Sequence, residues 1–203
     1  LFTNGSRLLN RARELWDAGL DSIYVSIDAS TAEAHDTFRK SPGLFEKALE
    51  GIKHARRIGF STGFSVTITP ESWKAGELEK IVNLAKETGV HEVFVFTALP
   101  TGRFKDREDI LDTEDWAEEM FQSAVPYNQD PDLPGVTFFS YMTSYRSAGC
   151  SCGTSYFYAS PYGDIMSCDF NHTKFGNILA EPLWKVWERL SSHPEFCQAK
   201  WGG

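Results

Sequence analysis

The sequence predicts an α/β chain: a parallel sheet wound with helices, followed by a small unit that carries all the cysteines. Three observations lead there. Short apolar strands alternate with amphipathic helices through the first hundred residues, the signature of βαβ units and a parallel sheet. The alternation stops after Pro100. The four cysteines, Cys150, Cys152, Cys168 and Cys197, all fall in the last 54 residues of the chain.

The elements follow in order. Residues 6–18 read as a helix with Leu8, Leu9, Ala12, Leu15 and Trp16 on one stripe, stopped by Gly19. Residues 21–28 read as a strand in which Ile23, Val25 and Ile27 alternate with Ser22, Tyr24 and Ser26. Ser30 and Glu33 form a capping box for a short helix. Residues 43–57 give a longer helix with Phe45, Ala48, Leu49, Ile52 and Ala55 inward and Gly59 behind it. A strand at 61–69 stops at Pro70, and 72–88 reads as one helix ended by Gly89. Residues 91–98 form the next strand around Val93-Phe94-Val95-Phe96. The strands thus lie at 22–27, 61–68 and 92–97, with Thr3-Asn4-Gly5 as the tail of an earlier strand and an open N-terminal edge.

Beyond them, 101–111 is charged and loop-like, and 113–124 reads as a helix with Trp116, Met120 and Phe121 inward. Residues 126–135, with three prolines, read as a linker, and 136–141 as a strand. Residues 156–160 and 164–167 flank Pro161-Tyr162-Gly163 as a β-hairpin, and 183–190 form a short last helix. The organisation expected is 1–104, a 105–148 linker with a helix, and 149–203 as a small domain.

Composition narrows the function. With 203 residues the chain allows one full domain or two small ones, and 41% hydrophobic with 24% charged residues is ordinary for a globular protein, excluding disordered and collagen-like chains. A net charge of −8 disfavours nucleic acid and anionic membrane surfaces as partners. No apolar run approaches the length of a membrane span, and nothing at the start reads as a secretory signal, so the expected location is cytoplasmic. In that setting clustered cysteines favour metal over disulfides.

Two groups of residues can carry chemistry. Cys150 and Cys152 lie on a loop and Cys168 at the end of a hairpin that brings its two ends together. Cys197, past the last helix, can fold back. Soft thiolates so placed suit zinc or an iron–sulfur cluster, against four reduced structural cysteines. His172 is an alternative ligand. Phe157, Tyr158, Tyr162 and Phe170 would shield a cluster or form a small core, and Trp184 and Trp187 share a helix face and read as packing.

The second group sits at strand carboxyl ends, where α/β ligand sites gather. Ser26 and Asp28 share a face, with Thr67 and Thr69 beside them and Thr97 and Ala98 beyond. Asp28 can accept from a ribose hydroxyl, and Arg39 can pair bidentately with a ligand carboxylate. The competing reading, which residue types alone favour, has Asp28 capping the next turn and Arg39 on the surface.

Taken together, these residues resemble the radical SAM enzymes that carry a C-terminal SPASM or twitch domain. Thr3-Asn4-Gly5 resembles the end of the third barrel strand, and 19–28 the fourth. His35-Asp36, Arg39 and Gly43-Leu44-Phe45 fit the segment that follows, and 100–103 the turn after the sixth strand. Gly149-Cys150, Gly153, Pro161, Gly163, Cys168 and Gly176-Asn177-Ile178, then Leu183 and Trp187, resemble the auxiliary-cluster module.

The resemblance implies the C-terminal part of a partial (β/α)6 barrel and a truncated SPASM/twitch domain. It implies S-adenosylmethionine held by Ser26, Asp28, Arg39 and Thr67, and an auxiliary 4Fe-4S cluster on Cys150, Cys152, Cys168 and Cys197. Family members cleave S-adenosylmethionine to a 5′-deoxyadenosyl radical that abstracts hydrogen, and many mature peptides or protein cofactors, so a peptide or small-molecule substrate is implied. Cys152 stands where the family often has a small residue. The cysteine triplet that binds the radical-generating cluster is absent from these residues, as is a Gly-Gly-Glu-Pro segment. At roughly 30 residues per βαβ unit, on the order of 80–100 residues are expected to precede Leu1. The expectation is a fragment of a radical SAM oxidoreductase or maturase, inactive by itself, with a second 4Fe-4S cluster only in the longer parent. The competing functions are a non-catalytic iron–sulfur or peptide-binding module and a zinc-stabilised structural domain.

Overall fold

The computed structural model describes residues 1–98, 105–107, 114–142, 147, 149–168 and 170–197, with the side chains of 114–117 and 196–197 outside this description. The expectations for 100–103 and for most of 101–111, the inward side chain of Trp116 and the thiol of Cys197 therefore lie outside the described residues. Internal contacts divide the chain into two compact units, Leu1–Ser140 and Tyr141–Gly203.

The first unit is a parallel sheet in the order β1 (Phe2–Thr3), β2 (Ser22–Ser26), β3 (Ser61–Ile68), β4 (Glu92–Thr97) and β5 (Gly135–Phe138). All four pairings are parallel, and the register aligns Tyr24 with Gly63 and Gly63 with Glu92. Strand-to-strand progression needs crossover helices, and the apolar stripes supply them. These are α1 (Leu8–Asp17), α2 (Ala32–Arg39) and α3 (Leu44–Ile58), then α4 (Pro70–Lys74), α5 (Glu77–Thr88) and α6 (Glu114–Gln129). Alternation buries one sheet face completely: Ile23, Val25, Phe64, Val66, Ile68, Val93 and Val95 are all at 0% exposure. Ala48, Ile52 and Ala55 of α3 are sealed to the same degree. Gly51 lets α1 and α3 approach, since a Cβ there would lie 2.9 Å from the Leu8 Cβ.

Several expectations change. The sheet has five strands where three were counted, because the Thr3 tail and the segment after Gly135 both pair in parallel. The helix predicted over 72–88 is two helices, broken at Gly76 with φ +66°. The first begins at a capping box between Thr69 and Ser72, with Pro70 in its first turn. The cap of α2 is Thr31, which accepts from the Ala34 N–H, and not Ser30. Ser30 gives both its N–H and its Oγ–H to the Glu77 carboxylate, at 2.6 Å each, because a tertiary acceptor outcompetes the local one. The predicted linker at 126–135 is largely ordered: α6 runs through Pro126 to Gln129. Asn128 then exchanges two hydrogen bonds with the Val136 backbone, at 2.8 and 2.9 Å. The strand expected at 136–141 is the shorter β5, followed by a helical turn, α7 (Phe139–Met142). Leu9 leaves the predicted stripe and is 45% exposed, while Trp16 packs edge-on to Phe60 at 5.0 Å.

The second unit is a three-stranded antiparallel sheet: β6 (Tyr158–Ala159), β7 (Asp164–Met166) and β8 (Lys174–Asn177). The hairpin turns where predicted, through Gly163 at φ +84°. The third strand was not anticipated. Helix α8 (Leu183–Ser191) lays Val186 and Leu190 on Ile165 and Phe175, and Phe157 and Trp187 pack around them. Gly176 permits this closeness, because a Cβ there would come within 2.8 Å of Val186. Trp187 packs as expected, but Trp184 is 63% exposed and Tyr162 79% exposed, so neither shields a core. A last turn, α9 (Pro194–Cys197), closes the described chain. Among the described residues no helix is long and apolar enough to cross a membrane.

Candidate functional site

The strand register fixes which side chains meet. Residues alternating with the sealed row form the other sheet face: Tyr24 and Ser26 on β2, Gly63, Ser65 and Thr67 on β3, Phe94 and Phe96 on β4. Aromatic rings cover much of it. Phe2 stacks on Tyr24 at 4.9 Å and meets Phe94 at 6.0 Å and Phe96 at 5.9 Å. Phe96 in turn lies 5.0 Å from both Phe94 and Phe139. Beside this wall β3 is nearly bare: a Cβ on Gly63 would sit 2.5 Å from the Tyr24 ring. The Tyr24 hydroxyl donates to Glu92, and burial, reinforced by that carboxylate, pushes its pKa up to about 12. The alternation of Tyr24 and of Phe94 with Phe96 was the available signal for this wall, and sequence reasoning passed over it.

At the carboxyl end of the sheet lies a polar knot. Asp28 is buried, with its side chain only 1% exposed. Its Oδ1 accepts from the Thr67 N–H at 2.9 Å, and its Oδ2 pairs with Arg39 Nε. Its own N–H donates to His35 Nδ1 at 3.2 Å. Asp28 thus does not merely cap a turn, and Arg39 is not a bare surface residue. Three of the four expected strand-end residues, Asp28, Arg39 and Thr67, are joined directly, while Ser26 stands half-buried on the same strand. Arg39 keeps 31% exposure, and Nε makes its only hydrogen bond among the described residues. That leaves the two-nitrogen edge of the guanidinium open to an anion, a fit for a carboxylate ligand. His35 belongs to the segment that sequence reasoning matched after this strand. It is fully buried, and burial lowers its pKa from the ordinary 6.5, so its ring is neutral at pH 7. Asp36 accepts from the Gly43 and Phe45 N–H groups, at 2.5 and 2.9 Å, and so fixes the start of α3 against α2.

In the second unit Cys150 is exposed, and Cys152 and Cys168 are half-buried free thiols. The Cys152 thiol interacts with both Cys150 and Cys168. Its pKa is raised, first by burial and then by those two neighbours. Neighbouring thiols are a donor set that a soft cation converts to thiolates. Among the described residues no three His, Cys, Asp or Glu side chains stand in metal-chelating geometry, and His172 is exposed. The interactions centre on Cys152, an expected cluster ligand that stands where the family often has a small residue.

A parallel sheet with a polar knot at its strand ends can be compared with known proteins. Residues 1–78 match the model of the radical SAM superfamily. Over its whole length the chain is 29% identical to an AdoMet-dependent heme synthase of Methanosarcina barkeri, and it spans 65% of that protein. Its fold is similar to that of solved structures. Native anSMEcpe with bound AdoMet superposes with a TM-score of 0.65 at 15% identity, over 98% of this chain and 58% of that one. Streptococcus suis SuiB bound to its precursor peptide SuiA gives 0.62 at 14% identity, over 87% and 43%. The α/β architecture with a small extra unit is therefore the one expected.

Proposed function

We propose that the chain is part of an S-adenosylmethionine-dependent radical enzyme of the heme-synthase type, acting on a flat tetrapyrrole-like substrate. The observation that carries this reading is the heme-synthase likeness across the entire chain, both units included. The aromatic wall of Phe2, Tyr24, Phe94, Phe96 and Phe139 supports it, because conjugated rings stack on aromatic faces. In this reading Ser26, Arg39 and Thr67 lie along the S-adenosylmethionine site, with Asp28 among them. When bound, a reduced 4Fe-4S cluster and S-adenosylmethionine would supply one-electron reductive cleavage chemistry, giving methionine and a hydrogen-abstracting 5′-deoxyadenosyl radical. Residues 149–203 form a SPASM/twitch-like unit in which Cys150, Cys152 and Cys168, with Cys197, hold an auxiliary 4Fe-4S cluster. A cytoplasmic setting belongs to the same reading. A peptide substrate is the second reading, favoured by the fold shared with peptide-bound SuiB.

The test is anaerobic reconstitution of the longer protein with iron and sulfide. Addition of S-adenosylmethionine and a one-electron reductant should release 5′-deoxyadenosine. An iron porphyrin should bind with a shifted Soret band. Release of 5′-deoxyadenosine without porphyrin binding would move the reading to a peptide. Absence of 5′-deoxyadenosine would end it.

A further inference from the structure

We propose that Asp28 and His35 are positioning residues that hold Arg39 ready for the carboxylate of S-adenosylmethionine, and that Asp28 does not touch the ligand. The inference rests on the S-adenosylmethionine reading above and changes what Asp28 does within it. Asp28 is the strand-end carboxylate that would ordinarily be assigned to a ribose hydroxyl. Its burial argues otherwise, since a side chain 1% exposed offers no surface to a ribose. Each of its oxygens already has a partner within the protein, the Thr67 N–H on one and Arg39 Nε on the other.

Arg39 is placed differently. It closes α2, just before Lys40 turns left-handed at φ +54°, and its side chain keeps 31% exposure. A free arginine at a helix end loses considerable rotamer freedom on binding an anion. One whose Nε is already fixed by a buried carboxylate loses less, and its remaining edge faces a ligand with two parallel donors. His35 and Arg39 are four apart on α2, so both reach toward Asp28 from one helix face. The single hydrogen bond of the His35 imidazole is the one that it accepts from the Asp28 N–H. That bond leaves the proton on Nε2, which is buried with no partner among the described residues. A buried donor without a partner is costly. The hydrogen bond that the ring does make is the one from the Asp28 N–H to its Nδ1. Backbone and carboxylate of Asp28 are thereby locked separately, the first by His35 and the second by β3 and Arg39.

The experiment compares two ligands on the reconstituted longer protein. S-adenosylmethionine carries the carboxylate. 5′-Methylthioadenosine keeps the base and the ribose but lacks it. Binding of each is measured calorimetrically in wild type, Asp28→Asn, Arg39→Gln and His35→Gln, with circular dichroism reporting the fold. The expected result is a loss on the order of tenfold for S-adenosylmethionine in Asp28→Asn and Arg39→Gln, with 5′-methylthioadenosine unchanged, as expected for one charge-assisted hydrogen bond. His35→Gln should shift the same ligand in the same direction by less. Equal weakening of both ligands in a folded Asp28→Asn protein would make Asp28 a nucleoside contact and overturn the inference, as would no weakening of either. If Asp28→Asn does not fold, Arg39→Gln and His35→Gln decide by the same selectivity. A wild-type protein that binds neither ligand would overturn the S-adenosylmethionine reading and this inference together, a result distinct from equal weakening in the variants.

Discussion

The two units of this chain are stabilised by different means. In the first, seven strand residues and much of α3 are fully sealed, so apolar burial at about 25 cal/mol per Å2 accounts for most of its stability. In the second, the apolar cluster buried among the described residues is Ile165, Phe175, Val186 and Leu190. A unit this small rarely stands on such a core without a disulfide or a metal. Its polar contacts tie α8 and the segment before it to the small sheet. Arg189 grips Glu181 with two hydrogen bonds, at 3.0 and 2.8 Å, and donates to the Phe175 carbonyl, while Lys174 pairs with Asp164 at 2.7 Å. The contrast shows where the auxiliary cluster of the proposed function would be structural as well as chemical: in the unit with the smaller apolar cluster among the described residues.

The largest effect should come from breaking the weaker side of that contrast. Cys168→Ala, or iron removed by a chelator, should abolish cluster binding in the 149–197 region. Amides there should then exchange with solvent rapidly, while those of α3, β3 and β4 remain protected. Hydrogen exchange read by mass spectrometry decides it, and unchanged protection in the second unit would show that its apolar cluster suffices. A smaller loss is expected on the stronger side. Ile52→Ala removes a fully buried side chain from α3 and should cost about 2–5 kcal/mol in urea denaturation of the first unit.

The smallest effect is in pH. The His35 pKa is lowered in the folded chain, chiefly by burial, partly offset by Asp28 and Asp36 and added to by Arg39. The unfolded chain therefore binds a proton that the folded chain does not. The stability due to His35 is complete above the ordinary value of 6.5 and declines as pH falls from there toward the lowered folded-state value. His35→Gln should flatten that segment of the stability profile of the first unit, and a wild-type slope that survives the substitution would sink the assignment.

Much of the first unit was legible from periodicity. The strands predicted at 22–27, 61–68 and 92–97 lie at 22–26, 61–68 and 92–97. Those segments alternate cleanly, and each is bounded by a glycine or a proline. What failed was decided by neighbours distant in sequence. Ser30 and Glu33 spell a capping box, yet Glu77 takes Ser30. Pro126 spells a break, yet Asn128 ties the continuing helix to Val136.

The candidate sites divide in the same way. The sequence by itself determined the order of the elements, the two faces of each strand and the residue types brought to the strand ends, because a period of two or 3.6 is a local property of the backbone. Only the tertiary structure decided that Asp28 holds Arg39 and Thr67, that His35 anchors Asp28, that Cys152 interacts with both Cys150 and Cys168, and that five rings line one sheet face. A carboxylate, an imidazole or a thiol takes whichever partner the register and the crossings bring within about 3 Å, and composition does not encode that distance.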